Sequence, residues 1–90
     1  MNRYGEQAMA HWKEHKTQAF GQLEDPEEFF TGLGEGIATQ IETRARELAG
    51  QEPGEEGYMQ RLQRLNTSRL TAEGEVLRER VLLDVEPSQE

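Results

Sequence analysis

Residues 25–50 read DPEEFFTGLGEGIATQIETRARELAG, and no other stretch constrains the fold as tightly. Asp25 suits a helix N-cap, Pro26 suits the first helical position, and Glu28 completes a D-x-x-E capping pattern. Phe30, Leu33, Ile37, Ile41, Ala45 and Leu48 then recur every three or four residues, which draws one apolar stripe along a helix. Glu27 and Glu28 stand near its positive end, Arg44 and Arg46 near its negative end, as the helix dipole favours. Gly50 is a natural terminator. The pattern predicts a helix over 26–49. Gly32, Gly34 and Gly36 fall inside it, each about 0.5–1 kcal/mol less favourable than alanine. Gly32 and Gly36 are four apart and share one side, where a neighbouring backbone could approach closely. The plainer alternative is that the three glycines merely weaken the first turns.

Two more helices flank this one. Tyr4, Ala8, Trp12, Ala19 and Leu23 form a stripe over 3–21, with His15 on it and His11 beside it. QEPGEEG, residues 51–57, has no apolar residue and reads as the linker. Beyond it, Tyr58, Leu62, Leu65, Ala72 and Val76 form a third stripe over 55–82, widened by Met59, Leu70 and Leu77. Arg69 interrupts it at the position that would complete a heptad seam, and Gly74 is a weak point. VLLDV either extends this helix or ends it as a short apolar arm. No segment alternates as a strand, and no repeat is visible. The expectation is an all-α fold of three helices: a long antiparallel hairpin of the second and third, with the first packed across it. Residues 1–83 form the single domain and 84–90 a frayed acidic tail. Phe29, Phe30, Leu33, Ile37, Ile41, Leu62, Leu65, Val76 and Trp12 are the expected core.

That core is thin. Ninety residues bury only about 60–65 % of their unfolded surface, and only 33 % of them are apolar. Both hairpin helices exceed the average globular length, so their stripes outrun what the first helix covers. Self-association or a protein partner is the consequence. With no cysteine, disulfides, thiol catalysis and cysteine zinc sites are all excluded. MNRYGEQAMA lacks the apolar centre of a signal peptide, and the longest apolar run, Val81-Leu82-Leu83, is far short of a membrane span. A soluble, cytoplasmic, non-membrane protein is expected. Eighteen acids against ten Lys and Arg give −8, which argues against direct nucleic-acid binding.

Four features invite a chemical reading. HWKEH, His11 to His15, has the H-x-x-E-H spacing of zinc hydrolases, in which two imidazoles on one helical turn hold the metal. Such enzymes need a third ligand and a cleft that this chain can hardly build, so the motif is read as a polar helix face with no metal and no cofactor. Glu28, Glu35 and Glu42 repeat every seven residues and, with Glu24, make an acidic row of about 27 Å. Carboxylates in such a row can stand in for phosphates, as acidic nucleic-acid mimics do; the plain alternative is a solvated face. Arg61, Arg64, Arg69, Arg78 and Arg80 concentrate base on the third helix. They are expected to meet the acidic row of the second helix, within the fold or in a second copy, rather than phosphate. No aromatics interleave them as single-strand binding needs. Finally, Ser68 and Ser88 sit in no nucleophile elbow, and Gly34-Glu35-Gly36 is no phosphate loop. No enzyme is expected.

RYGEQAMAHW, DPEEFFTGLGE and YMQRLQRLNTSRLTAEGEVLRE resemble a group of small acidic helical proteins of unknown function carried by actinobacterial phages, plasmids and integrated elements. The resemblance implies a non-enzymatic accessory factor of a virus or mobile element in a bacterial cytoplasm, and it transfers no functional residue. Taken with the charge pattern, it implies an inhibitor of a nucleic-acid-binding host protein, a defence nuclease or regulator, with Glu24, Glu28, Glu35 and Glu42 as the partner-binding residues. The alternative is a structural or assembly component that self-associates into an oligomer through Leu62, Leu65 and Val76.

Overall fold

The structure is a computed structural model that describes residues 1–50 and 56–82. It is 87 % helical with no strand among these residues, so the fold is all-α. In chain order the elements are α1 (Arg3–His15), α2 (Thr17–Gly21), α3 (Pro26–Ala49) and α4 (Tyr58–Leu77), followed by a π-helical turn, Arg78–Leu82. The expected start at residue 55 and the tail 84–90 lie outside the described residues.

α3 follows its sequence signals at both ends. The Asp25 carboxylate accepts from the Glu28 N–H at 3.1 Å, and Pro26 opens the first turn. Gly50 closes the helix in a right-handed conformation (φ −71°, ψ −7°), so its left-handed freedom is not used. An orphan carbonyl of the last turn, that of Ala49, instead accepts from the Arg64 guanidinium of α4.

The first predicted helix is two. It breaks at Lys16 (φ −134°, ψ 52°), whose N–H still donates to the Trp12 carbonyl at 2.8 Å while its own carbonyl accepts from Phe20 N–H at 2.8 Å. The break re-aims the chain. Phe20 then lies stacked on Phe30 with centroids 6.0 Å apart, and Trp12 meets the edge of Phe30 at 5.4 Å. A straight helix would turn Phe20 about 80° away from Trp12 around the axis.

α3 and α4 run antiparallel, because rising α4 numbers meet falling α3 numbers: Arg64 reaches Ala49, Glu75 reaches Arg44, and Arg80 reaches Gln40. The buried core comprises Phe30, Ile37 and Ile41 of α3, Tyr4 and Ala8 of α1, Ala72 and Val76 of α4, and Val81. Trp12 and Leu33 are half-buried at its edge, and Phe29, Leu62 and Leu65 are exposed, contrary to expectation. The correction on α4 has a positional cause. Its buried residues are Ser68, Ala72 and Val76; Leu65 lies within about 20° of Ala72 and Val76 around the helix axis, but nearer the other end of α4 from Glu73, where Arg3 and Tyr4 of α1 are bonded. Val81 follows Val76 by five residues, an advance of about 500° in an α-helix, which would point it well off the core. The wider π turn returns it to the core face.

The tightest approach is between α1 and α3. A Cβ on Gly34 would lie 2.7 Å from Gly5 N and 2.9 Å from Gly5 Cα, and closer still to Asn2 Oδ1. A Cβ on Gly5 would lie 2.7 Å from Met1 Cγ and closer still to the Phe30 carbonyl oxygen. Asn2 seals the crossing. As N-cap of α1 its Oδ1 accepts from Gly5 N–H at 2.9 Å, and its Nδ2 donates to the Gly34 carbonyl at 3.0 Å. The close-packing glycines are therefore Gly5 and Gly34. Gly32 and Gly36, the expected pair, face open space with nothing within 4 Å.

Alanine substitution separates the two pairs. Gly34→Ala is expected to destabilise by about 1–3 kcal/mol through overpacking, whereas Gly32→Ala and Gly36→Ala each stabilise by about 0.5–1 kcal/mol through helix propensity. Urea unfolding followed by circular dichroism distinguishes the signs, and a Gly34→Ala protein as stable as the parent contradicts the close crossing.

Candidate protein-binding site

The acidic row divides when placed on the fold. Glu28, Glu35 and Glu42 lie on α3 and are exposed; Glu24 lies in the bend before it, off the helix but equally exposed. On one side of the first turns, Asp25, Glu27, Glu28, Thr31, Gly32 and Glu35 line an open depression. On the other side, Leu23, Phe29 and Leu33 share a shallow groove with Glu24, Asp25, Glu28 and Gly32. The N-terminal half of α3 is thus a carboxylate-rimmed surface with accessible apolar side chains and a glycine floor. Glu42 stands apart, beside Arg46, Leu65 and Arg69.

The expected match between the arginines of α4 and this row is not found among the described residues. Across the hairpin the polarity is reversed: Arg44 of α3 pairs with Glu75 of α4 at 2.8 Å and with Glu79 of the π turn at 3.7 Å. The hydrogen bond to Glu75, then the Glu79 charge, hold the Arg44 guanidinium still more firmly protonated. Arg64 turns to its own end of the hairpin, gripping the Glu56 carboxylate through Nε at 2.8 Å while also reaching the Ala49 carbonyl. Arg80 donates to Gln40. From α1, Arg3 pairs with Glu73, whose Oε2 also accepts from the Tyr4 hydroxyl at 2.7 Å. None of Glu24, Glu28, Glu35 and Glu42 is in an ion pair within the described residues.

The other candidate residues are placed as follows. His11 and His15 face each other with ring centroids 4.6 Å apart, and His15 Nε2 lies 3.9 Å from Glu14 Oε2. Among the described residues no three His, Cys, Asp or Glu side chains are grouped to hold a metal ion. Lys16 places its ammonium 3.9 Å from the Trp12 ring centroid, so the histidine turn borders a cation–π contact. Of the three self-association residues, Leu62 and Leu65 are 38 % and 39 % exposed, but Val76 is 0 % exposed. Val76 is taken by the core and is not available to a second copy; the seam it was to share is split partway along α4. No helix among the described residues is long and apolar enough to cross a membrane.

Sequence reasoning missed the role of Asn2 and did not find the partners of Glu73 and Arg64, the latter being expected to meet the acidic row instead. Asn2 precedes a helical stripe and has the chemistry of an N-cap, a readable signal. The partners of Glu73 and Arg64, Arg3 and Ala49, are distant in sequence and carry no local mark. No family model, curated protein or solved structure matches this chain.

The Arg64 grip has a pH signature. Hydrogen bonds from Arg64, outweighing the opposing effect of burial, lower the Glu56 carboxyl below its ordinary range. The unfolded chain therefore binds the proton more readily than the folded one, and stability from this pair is present above the ordinary carboxylate range and lost as pH falls through the lowered value. Thermal melting of the parent and of Glu56→Gln is expected to differ most at neutral pH and to converge in acid. A difference that grows on acidification contradicts the assignment.

Proposed function

We propose that this chain is a non-enzymatic, acidic, protein-binding accessory factor, acting through the N-terminal half of α3 on a partner with a cationic surface of the kind that holds phosphates. One observation carries this reading: Glu28 and Glu35 stand exposed and outside any ion pair within the described residues, alternating along the helix with Gly32 and Gly36, while arginines of α1, α3 and α4 are engaged elsewhere in the fold. Two exposed glycines in a helix weaken it without serving any contact inside the chain. A partner backbone or side chain lying close to the helix gives them a use. Phe29 and Leu33 add apolar contact beside the carboxylates, so binding need not rest on charge alone.

On this reading the chain inhibits by occupying a nucleic-acid-binding groove of a host protein, consistent with an origin on a phage or mobile element. Glu28 and Glu35 occupy positions that phosphates otherwise take, about 10 Å apart along the helix. Glu24 extends the charge around the bend, and Glu42, near two arginines, contributes least. The net charge of −8 speeds encounter with a basic surface and suppresses acidic partners.

The test is retention of bacterial nucleic-acid-binding proteins on immobilised parent chain and on Glu28→Gln/Glu35→Gln/Glu42→Gln. Affinity is expected to fall about tenfold in the triple variant, as rim charges of roughly 0.5 kcal/mol each would give, with unchanged helicity and with elution of the parent complex by salt. Equal retention by both chains removes the electrostatic reading.

A further inference from the structure

We infer that His11 and His15 form a two-imidazole chelate for a divalent late first-row transition ion, Cu²⁺ before Ni²⁺ or Zn²⁺, on the last turn of α1. The hydrolase reading of HWKEH lacks a third protein ligand, since no group of three His, Cys, Asp or Glu exists among the described residues. A chelate needs only two, with water in the remaining positions. Four residues of α-helix turn through about 400°, so the two histidines stand about 40° apart around the axis and one turn apart along it. The fold keeps them together: their ring centroids are 4.6 Å apart and the planes tilted by 39°. Two nitrogens that share an ion at about 2.0–2.1 Å each lie within about 4.2 Å of one another. These rings reach that by turning about their own side-chain bonds.

The surrounding charge favours a cation. α1 ends at His15, so the ion sits at the negative end of the helix dipole. The Glu14 carboxylate lies 3.9 Å from His15 Nε2 and adds a negative charge beside the pair. Two lysines oppose binding by charge, but each ammonium is drawn over an aromatic ring. Lys13 Nζ lies 5.7 Å from the Phe20 centroid and Lys16 Nζ 3.9 Å from that of Trp12. Lys13 also leaves the helix about 160° from His15. Imidazole selects the ion. Nitrogen ligands suit copper, nickel and zinc, with copper tightest in the Irving–Williams order, whereas Mg²⁺ and Ca²⁺ take oxygen. Bound across the turn, the ion pins the end of α1 immediately before the break at Lys16, and it does so only in the folded chain.

Trp12 is the chain's one tryptophan and lies within the motif, so its fluorescence reports Cu²⁺ by short-range quenching. Titration of the untagged full chain with copper sulfate is expected to quench saturably at one ion per chain. His11→Gln and His15→Gln should each raise the dissociation constant at least about tenfold, with helicity retained. Lys13→His/His15→Gln keeps two histidines but sets them about 160° apart, and should bind no better than His15→Gln. Nickel chloride should raise the midpoint of thermal unfolding of the parent by at least about 4 °C, and magnesium chloride at the same concentration should not. Quenching that survives the loss of either histidine, or that returns in Lys13→His/His15→Gln, overturns the chelate. A nickel shift that magnesium reproduces also overturns it, as screening of the −8 charge. A parent chain that neither quenches saturably nor melts higher with nickel removes the site outright.

Discussion

The contact on which the rest of the structure depends is the crossing of α1 over α3 at Gly5 and Gly34. Two backbones meet there with no side chain between them, and the Asn2 amide ties both: it caps α1 and donates to the Gly34 carbonyl. An α3–α4 hairpin alone would be a two-helix layer with little apolar area to bury. Seating α1 this closely delivers Tyr4 and Ala8 into the core and sets Trp12 against Phe29 and Phe30. It also brings Tyr4 and Arg3 onto Glu73, so the N-terminal helix is bonded to both arms of the hairpin. This second layer is what lets a chain this thinly apolar close a core at all, and the fold remains elongated, 53 × 27 × 16 Å.

The same geometry sorts the charges. Arg44 reaches α4, Arg64 reaches back to Glu56 and Ala49, and Arg3 reaches Glu73. Each of these arginines stabilises a junction between elements. The carboxylates outside such junctions accumulate at the start of α3, where they also favour the helix dipole. Capping and dipole explain Asp25, Glu27 and Glu28; they do not explain Glu35, or the accessible Phe29 and Leu33 nearby. The proposed binding face is what remains of the acidic pattern after its local structural uses are subtracted.

α4 shows how one apolar stripe can be buried along only part of its length. Its apolar periodicity runs from Tyr58 to Val76 with an interruption at Arg69, yet only Ser68, Ala72 and Val76 are buried, with Val81 returned to the core by the π turn. Leu65 continues the same side of the helix as Ala72 and Val76, but away from the end where α1 is bonded to Glu73. Periodicity locates a stripe but says nothing of which neighbour covers it. That is why the stripe was legible in the sequence and Val76 is buried as expected, whereas Leu62 and Leu65, also expected in the core, are exposed.

By itself the sequence determined the all-α class and the bounds of α3, because capping, propensity and helical periodicity act within a few residues and need no tertiary partner. It also marked Glu28, Glu35 and Glu42 as one side of a helix, since that follows from spacing. Only the tertiary structure decided that Gly34 rather than Gly32 and Gly36 makes the close approach, that the chain bends at Lys16 to stack Phe20 on Phe30, and that Arg44 of α3 meets Glu75 across the hairpin. Each of those outcomes turns on how two helices rotate and cross, and that is set by side-chain volumes meeting across space, between residues as far apart as Asn2 and Gly34.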